Sequence, residues 1–202
     1  MMNIYKDSDL KVNKNDLVKW KDPRVTKTVV AIGDSLLELL RTKSFDKISV
    51  KNICEKAAIN RSTFYAHFED KYHLLNIALS HMISMVSNEL IESGKKYDLA
   101  VQIFEIVKKY KFLFEEILIK NDQNELKNIF QNVISQDLKH KANEIWSVTK
   151  SEVEMNVYSE FYSGAIVSSI TWWLKNNMKI TEKEMGKYFD DLLSKHWRQE
   201  QL

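Results

Sequence analysis

The chain has 202 residues, of which 44% are hydrophobic and 29% are charged, and these are ordinary values for a protein with its own core. Its single cysteine excludes an internal disulfide. One proline and four glycines are few, and apolar residues recur at spacings of three and four, so we expect an all-α fold. No run approaches the roughly eighteen apolar residues of a membrane span, and the N-terminus has no apolar signal segment, so we expect no membrane contact and a cytoplasmic location.

The net charge of +2 is too small to indicate nucleic-acid binding by itself, but the charge is unevenly distributed. Residues 1–80 carry a net charge of +4, and the remainder carries −2. Residues 1–22 are predicted to be an N-terminal extension. The lysines of this extension could form a basic arm that follows the DNA backbone. We favour the alternative, in which the extension is a frayed tail. The first clear helix start is Asp22-Pro23, and that helix is predicted to end near Thr42.

The segment SVKNICEKAAINRSTFYAHFEDK, residues 49–71, predicts two short helices joined by a tight turn. Ser49 is placed to cap the first helix, and Asn60 is placed to cap the second. The second helix is oriented by two inward phenylalanines, Phe64 and Phe68. Only Ala58 and Ile59 separate the helices, which is the layout of a helix-turn-helix. If Ala58 needs a positive φ, it costs about 1 kcal/mol relative to glycine.

With the phenylalanines inward, a rotation of about 100° per residue turns the polar side chains of the second helix outward. Hydroxyls, an arginine and a tyrosine at a helix start suit base edges in the major groove, while His67 and Lys71 suit phosphate. A lysine early on the first helix would reach the same groove. The predicted DNA-binding residues are Lys51, Arg61, Ser62, Thr63, Tyr65, His67 and Lys71.

The stretch INRSTFYAHFEDKYHLL resembles the signature of the TetR family of bacterial transcription regulators, and the similarity extends over residues 23–75. The resemblance implies a helix-turn-helix DNA-binding domain over 23–75 and a helical ligand-binding and dimerisation domain over 76–202. It places the predicted DNA-binding residues at base-proximal or phosphate positions. Family members commonly have glycine where this chain has Ala58.

A longer helix is predicted to start at Asp70-Lys71 and to end near Gly94. Five further helices are predicted, over 98–109, 110–120, 123–145, 152–177 and 181–197. In the last two, FYSGAIVSSITWWLKNN and TEKEMGKYFDDLL resemble the C-terminal region of the TetR branch that includes activators of dihydroxyacetone kinase genes.

Small residues at helical spacing on the first of these two helices would let another helix approach closely, and the last helix has a matching apolar stripe. We therefore expect a four-helix homodimer interface, in preference to two stripes that face their own core. The predicted interface residues are Tyr162, Gly164, Ala165, Ser168, Ser169, Phe189, Leu192 and Leu193.

The resemblance also implies an effector. Family members usually bind a small molecule inside the C-terminal helices, and some members of the branch work through protein partners. Methionines and aromatic residues at helical spacing more often fill a core than line a cavity. The candidate pocket residues are Met82, Met85, Phe104, Tyr110, Phe114, Trp146, Tyr158 and Trp172.

The five histidines form no recurrent pair with a carboxylate or cysteine at ligand spacing, so neither a metal nor a cofactor is expected. The chain has no phosphate loop, serine elbow or paired acids on an apolar face, so we do not expect an enzyme. The leading hypothesis is a homodimeric regulator, in the first instance a repressor, that binds a palindromic operator in double-stranded DNA and responds to a small-molecule or protein effector. The alternative is a co-regulator of the same fold that acts through a protein partner and binds DNA weakly.

Overall fold

The computed structural model describes residues 23–93, 96–121, 124–146 and 151–198. The expected N-terminal extension, residues 1–22, lies outside these ranges. Within them the chain forms nine α-helices and no strand, which confirms the all-α expectation. None of these helices combines the length and apolar character that crossing a bilayer requires.

The elements in chain order are α1 (Pro23–Leu40), a 3-10 turn (Phe45–Lys47), α2 (Val50–Ala57), α3 (Arg61–Tyr65), α4 (Lys71–Ser93), α5 (Lys96–Lys109), α6 (Lys111–Glu115), a π-helical turn (Glu116–Lys120), α7 (Glu125–Trp146), α8 (Glu152–Lys175) and α9 (Glu182–Arg198). The helix predicted over 110–120 is therefore two elements, because its second half widens into the π-helical turn. The chain divides into two compact units, the first ending at Ser84 and the second beginning at Met85. This division falls inside α4, whereas the sequence suggested one after residue 75.

In the first unit, helix α2 is held at both ends by local hydrogen bonds. The hydroxyl of Ser49 accepts from the backbone N–H of Asn52, and the Asn52 side chain accepts in return from the backbone N–H of Ser49, as a capping box requires. At the other end of α2, Ala58 adopts φ 53° and ψ 44°, which is left-handed. The N–H of Ile59 then donates to Cys54 O at 3.0 Å and closes the helix.

In the second unit, α5 and α9 approach each other closely at Gly186. A Cβ at this position would lie 2.5 Å from Val101 Cγ2 and 2.8 Å from Val101 N, so only glycine fits without a shift of the backbone. An ion pair between Lys108 and Glu182 joins the same two helices. The pair α5–α9 is therefore a fixed part of this unit.

The core of the second unit contains an aromatic cluster and a seam of small polar residues. Phe104 lies with its ring centroid 5.3 Å from that of Trp173 and 6.1 Å from that of Phe189. Helices α7 and α8 pack together, and the hydroxyl of Ser135 donates to Glu160 Oε1 across them at 2.7 Å. Three serines of these helices are fully buried: Ser135, Ser159 and Ser163.

The left-handed conformation of Ala58 gives a prediction about stability. A Cβ in this region is strained by about 1 kcal/mol, so Ala58→Gly should raise the free energy of unfolding by about that amount. Chemical denaturation of the purified protein measures the change. The matched control is Ala57→Gly, since Ala57 is the last residue of α2 and has helical geometry. There glycine should lower the free energy of unfolding by about 0.5–1 kcal/mol, and equal effects at the two positions would contradict the prediction.

The buried histidine of α4 gives a prediction about pH. His81 is only 3% exposed, and burial lowers the pKa of His81 from 6.5 to about 4. Between these values the unfolded chain binds a proton that the folded chain does not. The contribution of His81 to the free energy of unfolding is therefore complete above pH 6.5 and is lost as the pH falls towards 4, by at most about 1.4 kcal/mol per pH unit. Denaturation of the wild-type chain and of His81→Gln at several pH values measures this loss. It appears as a difference between the two proteins in the slope of the free energy of unfolding against pH. Parallel pH dependence of the two proteins would contradict it.

Candidate DNA interface

The short helix α3 presents one apolar side and one polar side. Phe64 is fully buried, and its ring centroid lies 5.4 Å from that of the buried Phe68. Arg61 and Ser62 are exposed, and Tyr65 is 57% exposed. Ser62 and Tyr65 face solvent as the sequence predicts, whereas Thr63, also expected to face outward, is half-buried.

The start of α3 differs from expectation in one respect. Asn60 occupies the N-cap position, but its side chain makes no capping hydrogen bond. The backbone carbonyl of Asn60 instead accepts from the N–H groups of Thr63 and Phe64, at 3.1 and 3.2 Å. The exposed Asn60 side chain is therefore not engaged in holding the helix.

The remaining predicted contacts lie on α2 and after α3. Lys51 is exposed on α2, and its ion pair with Glu55, at 3.7 Å, is also exposed. Such pairs contribute little to stability, so the Lys51 ammonium is available to another anion. Thr63 is half-buried, as is His67, whose ring centroid lies 6.3 Å from that of Phe68.

Lys71 is placed differently from the other six predicted contacts. It is half-buried at the start of α4, and its Nζ lies 2.9 Å from Phe45 O and 3.0 Å from Ile48 O. A third carbonyl oxygen, Asp46 O, lies 3.4 Å away. The ammonium therefore points at the main chain of the 3-10 turn.

An exposed ion pair joins α1 to α2. Lys56 Nζ lies 2.6 Å from Glu38 Oε2, and this hydrogen bond lowers the pKa of the Glu38 carboxyl.

Cys54 is buried, and burial raises the pKa of its thiol, with the nearby charge of Arg61 opposing the shift. The thiol therefore stays protonated and serves as a small apolar group of the core.

A second exposed feature lies on α8 and α9 and was only partly anticipated. On α8, Val153, Val157 and Phe161 are exposed at intervals of four residues, with 64% of Phe161 accessible, and Ser168 and Trp172 continue the same face. On α9, Tyr188 and Leu192 are exposed four residues apart. We refer to these seven residues as the outward face. The intervals of four in the sequence were a usable signal for Val153, Val157 and Phe161.

Two predicted interface residues face their own chain. Phe189 is only 8% exposed and packs against Phe104, which corrects the expectation that it meets a partner. Gly164 faces the side chain of Gln131 on α7, where an added Cβ would lie 3.8 Å from Nε2. Ala165, Ser169 and Tyr162 are half-buried, and the side chain of Leu193 lies outside the described part of the chain.

The candidate pocket residues differ in their surroundings. Phe104 belongs to the cluster with Trp173, whereas Phe114 packs on Phe130 at 5.5 Å between ring centroids. Trp172 has 50% of its side chain exposed on the outward face, which corrects its assignment to an internal pocket. The others are buried or half-buried core residues, apart from Trp146, whose side chain is not described: Met82, Met85, Tyr110 and Tyr158. Within the described ranges, no three His, Cys, Asp or Glu side chains converge as metal ligands do.

Sequence comparison matches both units to one family. The profile of the bacterial regulatory proteins of the tetR family matches residues 32–77, and the profile of a transcriptional regulator C-terminal region matches residues 95–195. The uncharacterized HTH-type transcriptional regulator YxbF of Bacillus subtilis (strain 168) is 19% identical over 172 residues. The match covers 81% of this chain and 44% of YxbF, so the chain spans less than half the length of that relative.

Solved structures share the fold. A TetR transcriptional regulator from Streptococcus agalactiae 2603V superposes with a TM-score of 0.59 at 23% identity, over 87% of this chain and 97% of that one. The dihydroxyacetone kinase operon activator DhaS gives a TM-score of 0.58 at 17% identity, over 85% and 96%. NalD of Pseudomonas aeruginosa, the secondary repressor of the MexAB-OprM multidrug efflux pump, gives 0.55 at 17% identity, also over 85% and 96%.

At these identities the superpositions establish a common fold, and the likeness to DhaS goes no further than that. The two profile matches carry the assignment, since together they cover most of both units. They agree with the exposed polar side of α3. The chain belongs to the TetR family of transcriptional regulators, which are DNA-binding proteins and not enzymes.

Proposed function

We propose that the chain is a cytoplasmic repressor that binds a palindromic operator as a homodimer and leaves it when an effector engages the C-terminal unit. The observation that carries the proposal is the polar side of α3, where Arg61, Ser62 and Tyr65 are exposed on a helix fixed by the buried Phe64. Arginine pairs with guanine edges, and tyrosine reaches a thymine methyl group or a phosphate. Lys51 adds a positive charge from α2.

The outward face supports the homodimer. Large apolar side chains that lie together on a monomer surface usually mark an interface. Both α8 and α9 expose such side chains. Two copies meeting through α8 and α9 would form a four-helix contact with Phe161 near its centre. A dimer also suits the DNA, because one recognition helix contacts too few base pairs to select a genomic site, and a two-fold protein matches a palindrome.

The effector is proposed on family grounds together with the apolar interior of the second unit. That interior holds large aromatic side chains such as Phe104 and Phe114, which suit an apolar small molecule. A protein effector is the second candidate, because the outward face offers apolar area to any partner with a complementary surface. Release from DNA would require an effector that prefers one of two conformations of the chain.

The DNA-binding role predicts the effect of two substitutions on α3. Arg61→Ala and Tyr65→Ala should each weaken specific operator binding by about 1–3 kcal/mol per half-site, because each removes a contact to a base or to its phosphate. Operator fragments are obtained by selecting genomic DNA with the purified protein, and fluorescence anisotropy then measures affinity.

The matched control is Lys183→Ala, which removes one exposed positive charge from α9. It should leave operator affinity within about twofold, since a single exposed charge on a helix outside the proposed DNA interface contributes little. Unchanged affinity for both α3 variants would exclude the proposed DNA interface. If the wild-type chain selects no discrete DNA but copurifies with an unrelated protein at physiological salt, the co-regulator alternative replaces the repressor.

The outward face predicts the oligomeric state. Phe161→Glu places a charge at the centre of the proposed interface, where burying it without a partner would cost several kcal/mol, so the variant should be monomeric. Sedimentation equilibrium measures the mass. Asn156→Glu is the control, because Asn156 is exposed on another side of α8 and the same charge there should leave the dimer intact. A dimeric Phe161→Glu variant would show that the chain does not associate through the outward face.

A further inference from the structure

We propose that Lys71 is a positioning residue that holds the helix-turn-helix in its DNA-binding geometry, and that it does not contact phosphate. This inference rests on the proposed DNA-binding function and revises one of its predicted contacts. The starting point is that three carbonyl oxygens surround the Lys71 ammonium: Phe45 O at 2.9 Å, Ile48 O at 3.0 Å and Asp46 O at 3.4 Å.

The number of acceptors matches the chemistry of the donor. A lysine ammonium has three N–H groups and no acceptor, so the three convergent carbonyl oxygens match its donors in number. The ammonium also lies 4.5 Å from the ring centroid of Phe45 and 5.5 Å from that of Tyr72, which attracts a cation further. A phosphate contact would require Lys71 to leave this arrangement and to expose three carbonyl oxygens in its place.

The hydrogen bonds of Lys71 connect the segment just before α2 to the start of α4, so the two connected segments flank α2 and α3 in the sequence. The carbonyls belong to the 3-10 turn and to Ile48, immediately before the capping residue Ser49 of α2, and Lys71 is the first residue of α4. The bond to Ile48 O spans 23 residues. The start of α2 and the end of the segment that follows α3 are thereby fixed to each other.

This connection matters because α3 has only five residues and its orientation depends on its surroundings. Phe45, whose carbonyl accepts the shortest of the three bonds, is itself a buried residue, and its ring meets that of Tyr72 at 5.0 Å. Losing the Lys71 bonds would loosen the 3-10 turn and the start of α4 together. The side chains of α3 and Lys51 on α2 would then no longer be held in the relative positions that let them contact the DNA together.

The test compares two substitutions of Lys71 with one of Lys51, by the salt dependence of operator binding. A lysine that neutralises a phosphate adds about 0.9 to the slope of log K against log salt, so Lys51→Met should reduce the slope by about 0.9 for each copy in the complex. Lys71→Met should instead weaken binding by about tenfold or more while the slope stays at the wild-type value. Measurement well below the unfolding temperature separates this effect from a loss of folded protein.

Lys71→Arg is the second variant and keeps the charge. A planar guanidinium cannot direct its N–H groups to three convergent carbonyls as an ammonium does, so arginine should not restore affinity. A phosphate contact predicts the opposite, since arginine binds phosphate at least as well. A reduced slope for Lys71→Met, or wild-type affinity for either Lys71 variant, would overturn the proposal.

Amide hydrogen exchange of the free protein gives a readout that does not involve DNA. Exchange in residues 45–67 should become at least about tenfold faster in Lys71→Met, because local opening of this segment becomes easier, and it should be unchanged in Lys51→Met. Unchanged exchange in Lys71→Met would overturn the positioning role even if no operator is found. Absence of DNA binding by the wild-type chain, with accelerated exchange in Lys71→Met, would reject the proposed function and leave the structural role of Lys71 supported.

Discussion

A helix of five residues has no stability of its own in water, because nucleating a helical turn costs more conformational entropy than its few hydrogen bonds offset. Helix α3 is of this length, and it therefore depends on the burial of Phe64 against Phe68. The same contact decides which side chains of α3 face solvent. The burial of Phe64 leaves Arg61 and Tyr65 exposed to solvent, so the core of the first unit and its candidate interface form one arrangement.

The parts of this arrangement that depend on near neighbours could be predicted from the sequence. The Ser49 cap, the inward Phe64 and the strained position of Ala58 each follow from residues within about one helical turn. The acceptors of Lys71 could not be predicted, because they are main-chain carbonyls from residues 45–48, and every residue carries a carbonyl. Sequence shows a charge and its position in a motif, but not which backbone oxygens the fold brings to it.

The C-terminal unit shows a second limit of prediction. Helix α8 has apolar residues on nearly all sides, so periodicity identifies apolar positions without showing which of them face the core. Trp172 and Trp173 are neighbours in sequence, yet the first is half exposed and the second is buried. On α9 the same ambiguity separates the buried Phe189 from the exposed Tyr188. Only the packing of α5 against α9 decides which apolar residues of α9 face the core. That packing depends on residues about 80 positions apart in the sequence.

The glycine contact between α5 and α9 has a mechanical consequence. Gly186 lies so close to Val101 that any side chain at position 186 would collide with the main chain of α5. Tyr188 and Leu192 follow this contact on α9 by two and six residues, so we expect the close packing to order their part of the helix before any other molecule arrives. Surfaces that are already ordered lose little conformational entropy on association. We expect movement within this unit to centre on the π-helical turn of residues 116–120, where the regular helical hydrogen bonding is already interrupted.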